Sequence, residues 1–514
     1  MGAMIRYLDT RGLDGSRPTF TGVVMKGIAN GGGLYVPERL PALSLDEILQ
    51  LADLPYAQRA AQVFRRFETD VPPSRVEELT AQAYGEQWDD ARIAPTREVA
   101  PDMHVLELWH GPTSAFKDMA LQCMPLFFSE AISMRRGAGE EVDDYLILVA
   151  TSGDTGKAAL EGFADRPNTR IVVFYPAEGV SDIQRKQMVT QHGDNVGVFG
   201  VRGNFDDCQN AVKAVFGDPD FNAELHREHG LKLSSANSIN WGRLLPQIVY
   251  YVSAYADMVR QGGVRAGEPM DVCVPTGNFG NILGAYYARE LGTPIGRLLC
   301  ASNENKVLTD FIASGVYDIS GREFVTTPSP SMDILISSNL ERLLYELVGD
   351  TETVAEWMRS LRSEGVFRVD RDTFAQVREL LSGDFVTNDE SLETIRRVWR
   401  EHGYLLDPHT AVSWEVAERL RGDDPVLVVS TAHWAKFGAS VYRALTDIPY
   451  AAPLPDDERG LTDVELLAEV QALAPEGACV PEALAVLDEA RVRFPGVVDA
   501  GREGVEQAVR QWLG

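Results

Sequence analysis

The sequence predicts an α/β protein in which parallel sheets are covered by helices, preceded by a smaller α+β domain. Three observations carry that expectation. Between about residues 96 and 310, short apolar runs alternate with amphipathic stretches, the pattern of parallel sheets with helices on their faces. Two of those runs end in small-residue turns, ATSGDTGK from Ala150 to Lys157 and PTGNFGN from Pro275 to Asn281, where open sheets of this kind take up ligands. The chain of 514 residues also exceeds a single domain of roughly 100–200 residues, so more than one core is expected.

Taken in order, residues 1–95 mix a strand-like piece, Gly33 to Pro37, with helices over Leu45 to Leu54 and Pro55 to Phe67. They form the expected N-terminal domain. A catalytic core is expected over 96–450. It opens with a helix over Asp118 to Phe128 and strands over Tyr145 to Val149, Ile171 to Tyr175, Asn195 to Val201 and Val272 to Val274, the last leading through a glycine turn into a helix from about Ile282. The charged, helix-patterned stretch 345–400 is expected as a surface insertion, and Val426 to Ser430 as one more buried strand. After Tyr450 the turn-rich Ala452 to Asp456 opens a C-terminal tail, 451–514, of acidic amphipathic helices such as Gly501 to Leu513, packed on the core.

Hydrophobic residues make up 45% and charged residues 24% of the chain, as in globular proteins. No apolar run approaches the roughly 20 residues of a membrane span, and the N-terminal MGAMIRYLDTRG lacks a signal-peptide core. A cytoplasmic protein without a membrane partner is expected. The formal charge of -28 argues against a nucleic-acid partner, since a phosphate backbone is repelled. Five scattered cysteines without a CxxC pair suggest neither zinc nor a disulfide framework. His226 and His229 lack a third ligand, so no metal is expected.

The chemistry centres on the run HGPTSAFKD, His110 to Asp118. Lys117 follows Phe116 and precedes the expected helix, and apolar neighbours there favour a neutral, nucleophilic amine. In PTGNFGN, Gly277 and Gly280 let backbone N–H groups converge on an anion, and the following helix adds its dipole. ATSGDTGK is not a P-loop: Gly153 and Gly156 are too close for GxxxxGK[ST], and Ala158 stands where a hydroxyl is needed. Its hydroxyls and amides suit a substrate carboxylate better. An amine for a Schiff base, a phosphate cradle and a partner for a pyridine nitrogen are what pyridoxal phosphate asks of a protein.

The motifs YLDTRG, GLYVPE, HGPTSAFKD, ATSGDTGK, SSANSINWGRLLPQ, VPTGNFGN, SPSMDILISSNLERLL, DPHTAV and STAHWAKF follow one another over roughly the first 450 residues. In that order they resemble threonine synthase, a pyridoxal-phosphate enzyme of fold type II (tryptophan synthase β-like), in its longer form with an N-terminal domain. The resemblance implies two open α/β lobes behind an N-terminal α+β domain, a phosphorylated amino-acid substrate, and a monomer or homodimer. It implies that Lys117 carries the Schiff base, that Phe116 and Asp154 border the cofactor, that Gly277, Asn278, Phe279, Gly280 and Asn281 hold its phosphate, and that Thr431 faces the pyridine nitrogen. Ser152, Gly153, Asp154 and Thr155 would bind the substrate carboxylate, and Asn237, Ser238 and Arg243 the phosphate of O-phosphohomoserine. The implied reaction is γ-elimination of phosphate followed by β-addition of water, in a site that closes on its substrate.

The chain departs from the family pattern at Lys157, Lys306, Trp434, Ser114 and Gly242. Lys157 and Lys306 add cations at motifs bordering the expected site, Lys157 being a further candidate for substrate binding, and Ser114 and Gly242 are smaller than the residues they replace. These departures leave open a paralogue that performs related elimination or replacement chemistry on a more anionic amino acid. A serine or threonine dehydratase, and a non-catalytic binding module, are the remaining alternatives.

Overall fold

A computed structural model describes residues 4–177, 180–455 and 458–514. Residues 1–3 of the N-terminal stretch and Asp456 of the tail's opening turn lie outside the described residues.

Two sheets organise the catalytic body. The larger has six strands in the order Leu381–Phe385, Ile295–Ser302, Met270–Pro275, Val426–Ser430, Met103–Glu107 and Thr96–Ala100. All neighbours are parallel except the last pair. The smaller sheet is wholly parallel, in the order Val497–Asp499, Val196–Arg202, Thr169–Pro176, Asp144–Ala150 and Leu231–Ser234. Its central strands read as continuous apolar runs because helices cover both faces. This is the mixed α/β architecture expected for fold type II. The 21-residue helix Trp241–Gln261 is buried continuously from Trp241 to Met258, the signature of a helix enclosed on all sides.

The N-terminal segment forms a two-stranded antiparallel sheet, Tyr7–Asp9 with Tyr35–Pro37, and helices that dock on that long helix. Arg59 anchors the contact. Its buried guanidinium donates to Asp257 Oδ2 at 2.7 Å, Ser253 Oγ at 2.7 Å and the carbonyls of Ala52 and Leu54.

Three expectations are corrected. The helix over Asp118 to Phe128 is broken into Asp118–Leu121 and Met124–Gly137. Pro125 explains the break, since a proline ring clashes with the carbonyl four residues back, here Leu121. The stretch 345–400 is no purely helical surface insertion, because its strand Leu381–Phe385 forms one edge of the six-stranded sheet. The C-terminal tail is likewise not only helical: Val497–Asp499 pairs with Gly200 to Arg202 and extends the smaller sheet. Among the described residues no helix is long and apolar enough to cross a membrane. Four of the five cysteines are buried, and Cys479 is exposed.

Candidate active site

The strand Val426–Ser430 delivers Thr431, and there the lysine segment is stitched to it. The Phe116 N–H donates to the Thr431 carbonyl at 2.8 Å, Ala115 bridges Ala432, and the His433 N–H donates to the Ser114 carbonyl at 3.0 Å. Ser114 adopts a positive φ of 57° to make the turn. Asp118, fully buried, closes it by accepting from the Thr113 N–H at 2.8 Å and the Thr113 hydroxyl at 2.7 Å. Burial raises the Asp118 carboxyl to about 7 against these bonds. Lys117 is thereby held at the start of its short helix.

The turn 151–156 is ordered by one hydroxyl. Thr151 Oγ1 accepts from the Gly153 N–H at 3.0 Å and the Gly156 N–H at 2.9 Å. Gly153, at φ 141°, lies against Gln184, whose Nε2 donates to Asp154 Oδ1 at 2.9 Å. Asp154 starts the helix Asp154–Phe163 and brings two lysines together: Lys436 Nζ lies 2.7 Å from its Oδ1, and Lys117 Nζ lies 4.0 Å from its Oδ2. Burial alone would raise this carboxyl, but Lys436 and Lys117 hold it well below the usual carboxylate range. Burial brings the Lys117 amine down to about 8, helped by Arg243 and Lys436 and opposed by Asp154.

The turn 276–281 faces the same amine across the segment 329–339. Phe279 caps the helix Gly280–Glu290 at φ 62°. At Gly277 a Cβ would stand 2.9 Å from the Ser331 carbonyl oxygen, so a side chain there is excluded by the backbone opposite. Ser337 Oγ donates to the Gly277 carbonyl at 2.7 Å, and the Asn278 carbonyl accepts from Asn339. Ser331 Oγ in turn lies 3.3 Å from Lys117 Nζ and 3.4 Å from Asp154 Oδ2. The Ser331 N–H donates to His409 Nε2 at 3.2 Å, so the ring proton sits on Nδ1, against Asp407 Oδ1 at 2.9 Å. Arg342, bonded to the Tyr35 carbonyl and to Asn339, ties this segment to the N-terminal domain.

Arg243 enters from the first turn of the long helix. It is buried, donates from Nη1 to the Ala236 carbonyl at 3.0 Å, and leaves Nε without a partner. Burial lowers the guanidinium to about 10. Asn281 is similar: its Oδ1 accepts from Tyr250 and Tyr251 at 2.6 Å each, while its buried Nδ2 has no partner. Buried donors left open are costly unless an anion or polar ligand completes them. With a depressed lysine beside them, these residues fit pyridoxal phosphate.

The expected residues are not all equivalent. Lys117 senses the charges of Asp154 and Arg243, whereas Asn237 is exposed and Ser238 half-buried on the segment that leads to Arg243. Lys157 is turned to Glu161 at 2.8 Å and to Gln191, so it offers no free charge. Lys306 lies 4.0 Å from the centroid of the Phe385 ring. A Cβ on Gly242 would meet Val24 and Met124, so this glycine relieves core packing and enlarges no pocket. Sequence reasoning missed Ser331 as a neighbour of the amine, Gln184 and Lys436 as partners of Asp154, and His409 as the support of Ser331, although Ser331 and His409 lie in SPSMDIL and DPHTAV. His110, at the start of the lysine motif, pairs with Asp89 at 2.5 Å and Glu107 at 3.0 Å.

The family model described as pyridoxal-phosphate dependent enzyme matches residues 96–432, with the threonine synthase N terminus over 6–84 and the threonine synthase C-terminal model over 410–477. The chain is 44% identical over 83% of its length to human threonine synthase-like 1, of which the aligned region spans 58%. It is 39% identical to the threonine synthase of Pseudomonas aeruginosa, covering 86% of this chain and 90% of that one. Among solved structures, the pyridoxal-phosphate-bound threonine synthase from Brucella melitensis superimposes with a TM-score of 0.85 at 34% identity, covering 99% of each chain. With all three matching segments in order and a 39% identical threonine synthase aligned over most of both chains, the chain belongs to the threonine synthase family of pyridoxal-phosphate enzymes.

Proposed function

We propose that the chain converts O-phospho-L-homoserine and water to L-threonine and phosphate. The observation that carries this reading is Arg243, a buried guanidinium with an unpartnered Nε close enough to shift the Lys117 amine. It supports a site for an anionic group remote from the reacting carbon, where binding energy serves to orient that carbon.

Pyridoxal phosphate, when bound, would supply an electron sink that lets C–H bonds on the amino-bearing carbon and then on its neighbour ionise. Gly277 to Asn281 would hold its phosphate through backbone N–H groups and the helix start, with Asn281 Nδ2 as a further donor. Phe116 and Asp154 would border it, and Thr431 would serve as the partner of its ring nitrogen. The N–H groups and hydroxyls of Ser152, Gly153 and Thr155 receive the substrate carboxylate. Lys117 Nζ takes the α-proton and then a β-proton, and phosphate departs from Cγ to the Arg243 side with Asn237 and Ser238 flanking it; one proton is then delivered to Cγ to make the methyl group, the hydroxyl of water adds at Cβ, a proton returns to Cα, and the proton left over from water goes to the phosphate. Ser331 Oγ, within reach of both Lys117 Nζ and Asp154 Oδ2, keeps the amine oriented between transfers.

A second reading is elimination or replacement on a different phosphorylated or otherwise anionic amino acid. Lys306 and Trp434 favour it, as does the similarity to threonine synthase-like 1. The paired state of Lys157 and the core position of Gly242 speak against it. The test is incubation of the full-length, cofactor-loaded chain with O-phosphohomoserine and a panel of phosphorylated and phosphonylated amino acids, with products read by mass. Equal release of phosphate and threonine is expected. Turnover of another member of the panel, with O-phosphohomoserine left intact, overturns the first reading in favour of the second.

A further inference from the structure

Asp154 has two cationic neighbours, and only one of them is placed to change its charge. Lys436 lies in the turn after Thr431, fully buried, with Nζ 2.7 Å from Asp154 Oδ1 and 2.8 Å from the Thr113 carbonyl. Both acceptors are rigid: Asp154 is fixed by Gln184, and Thr113 by Asp118. Lys117 approaches the other oxygen at 4.0 Å, beyond hydrogen-bond length, with Ser331 Oγ beside it.

A buried carboxylate with a single cation locks that cation in its charged form, because removing either charge strands the other in low dielectric. A carboxylate with two does not. We infer that Lys436 is a positioning residue: its ammonium is the standing counter-charge of Asp154, so that the Lys117 amine sheds its proton without leaving that carboxylate unpaired. The inference rests on Lys117 being the reacting amine, and it holds whichever amino acid is the substrate.

The charged groups facing this cluster act in the same sense. Arg243, from the long helix, repels a proton on Lys117 as Lys436 does. Asp118, below the turn, is neutralised in part by its own burial. His433 stays uncharged, depressed to about 3 by burial and by the cations His110 and Lys436. Of these groups Asp154 favours a charged Lys117, and Lys436 offsets it.

The test is competitive acylation of Lys117 in the full-length, cofactor-free chain across pH, read by peptide mass spectrometry. This measures the amine directly and needs no substrate. In Lys436→Met the labelling midpoint is expected to rise by about 1–3 pH units, the usual size of a close charge effect. In the double variant Lys436→Met/Asp154→Asn it is expected to return to the native value or below. Lys436→Arg, which keeps the charge, is expected to shift it least. Retention of the visible cofactor band after loading checks that each variant is folded. If Lys436→Met folds and its midpoint does not move, the inference fails while the proposed reaction stands; loss of threonine formation in the unaltered chain has the opposite meaning. If Lys436→Met does not fold, the Arg variant decides: a midpoint displaced as far as in Asp154→Asn overturns the inference.

Discussion

A Cβ placed on Gly162 would stand 1.8 Å from the carbonyl oxygen of Leu121. The helix that begins at Asp154 therefore crosses the short lysine helix in direct backbone contact, at the carbonyl that the ring of Pro125 keeps out of the usual helical hydrogen bond. The break in one helix and the glycine in the other are two halves of one contact, and it sets the spacing between Asp154 and Lys117.

Gly162→Ala forces these helices apart. Overpacking of this kind costs about 1–3 kcal/mol, and here backbone stands opposite backbone, so the upper end is expected. Chemical denaturation gives the stability loss. Faster release of cofactor from the variant, followed by dialysis and absorbance, reports the displacement of Lys117.

His110 links folding to pH. Burial opposes its charge, but Asp89 and Glu107 raise it to about 9 from an ordinary 6.5. A raised folded value stabilises the protein fully below pH 6.5 and loses that contribution as pH climbs through 9. The stability gap between the native chain and His110→Gln, from urea titrations at a series of pH values, is expected to be widest below 6.5 and to close toward 9.

Arg243→Leu removes a buried charge that no carboxylate among the described residues neutralises, so the fold is expected to tolerate it or gain. Its effect falls on catalysis. A charge-assisted contact to an anion contributes about 2–3 kcal/mol, and kcat/KM for a phosphorylated substrate should drop roughly a hundredfold. Arg243→Lys recovers part of the loss, because an ammonium lacks the planar fork. Equal kcat/KM in Arg243→Leu and the native chain would remove Arg243 from the anion site.

Thr151→Val keeps shape and deletes the hydroxyl that serves the Gly153 and Gly156 N–H groups. Loss of such a cap costs about 0.5–2 kcal/mol. Since this turn is expected to receive the substrate carboxylate, KM should rise as well, and steady-state kinetics beside thermal unfolding separate the two effects.

Much of this arrangement was legible in the chain itself. The strand Val426–Ser430 matched its apolar run to the residue, and both glycine turns stood where buried strands end. What escaped was non-local or disguised. The edge strand LSGDF carries Gly383 and Asp384, residues that ordinarily mark a loop, and it is a strand only because Ile295–Ser302 pairs with it. The three-residue VVD owes its existence to Val196–Arg202 in the same way. Lys436 and Asp154 are separated by most of the core, so each reads as an isolated charge until the sheets bring them together. Ser331 sits in a polar segment without periodicity, and no local pattern points it at Lys117.

The short strand Val497–Asp499 has a practical corollary. It covers the outer hydrogen-bonding groups of Gly200 to Arg202, the end of the strand Val196–Arg202, and the helix Arg502–Leu513 clamps it there against the helix Phe205–Phe216. Proteolytic trimming ahead of residue 497 would bare the unpaired strand edge at Gly200 to Arg202, able to recruit the same edge of another molecule. A preparation nicked there should cloud and precipitate on standing long before its catalytic centre loses shape.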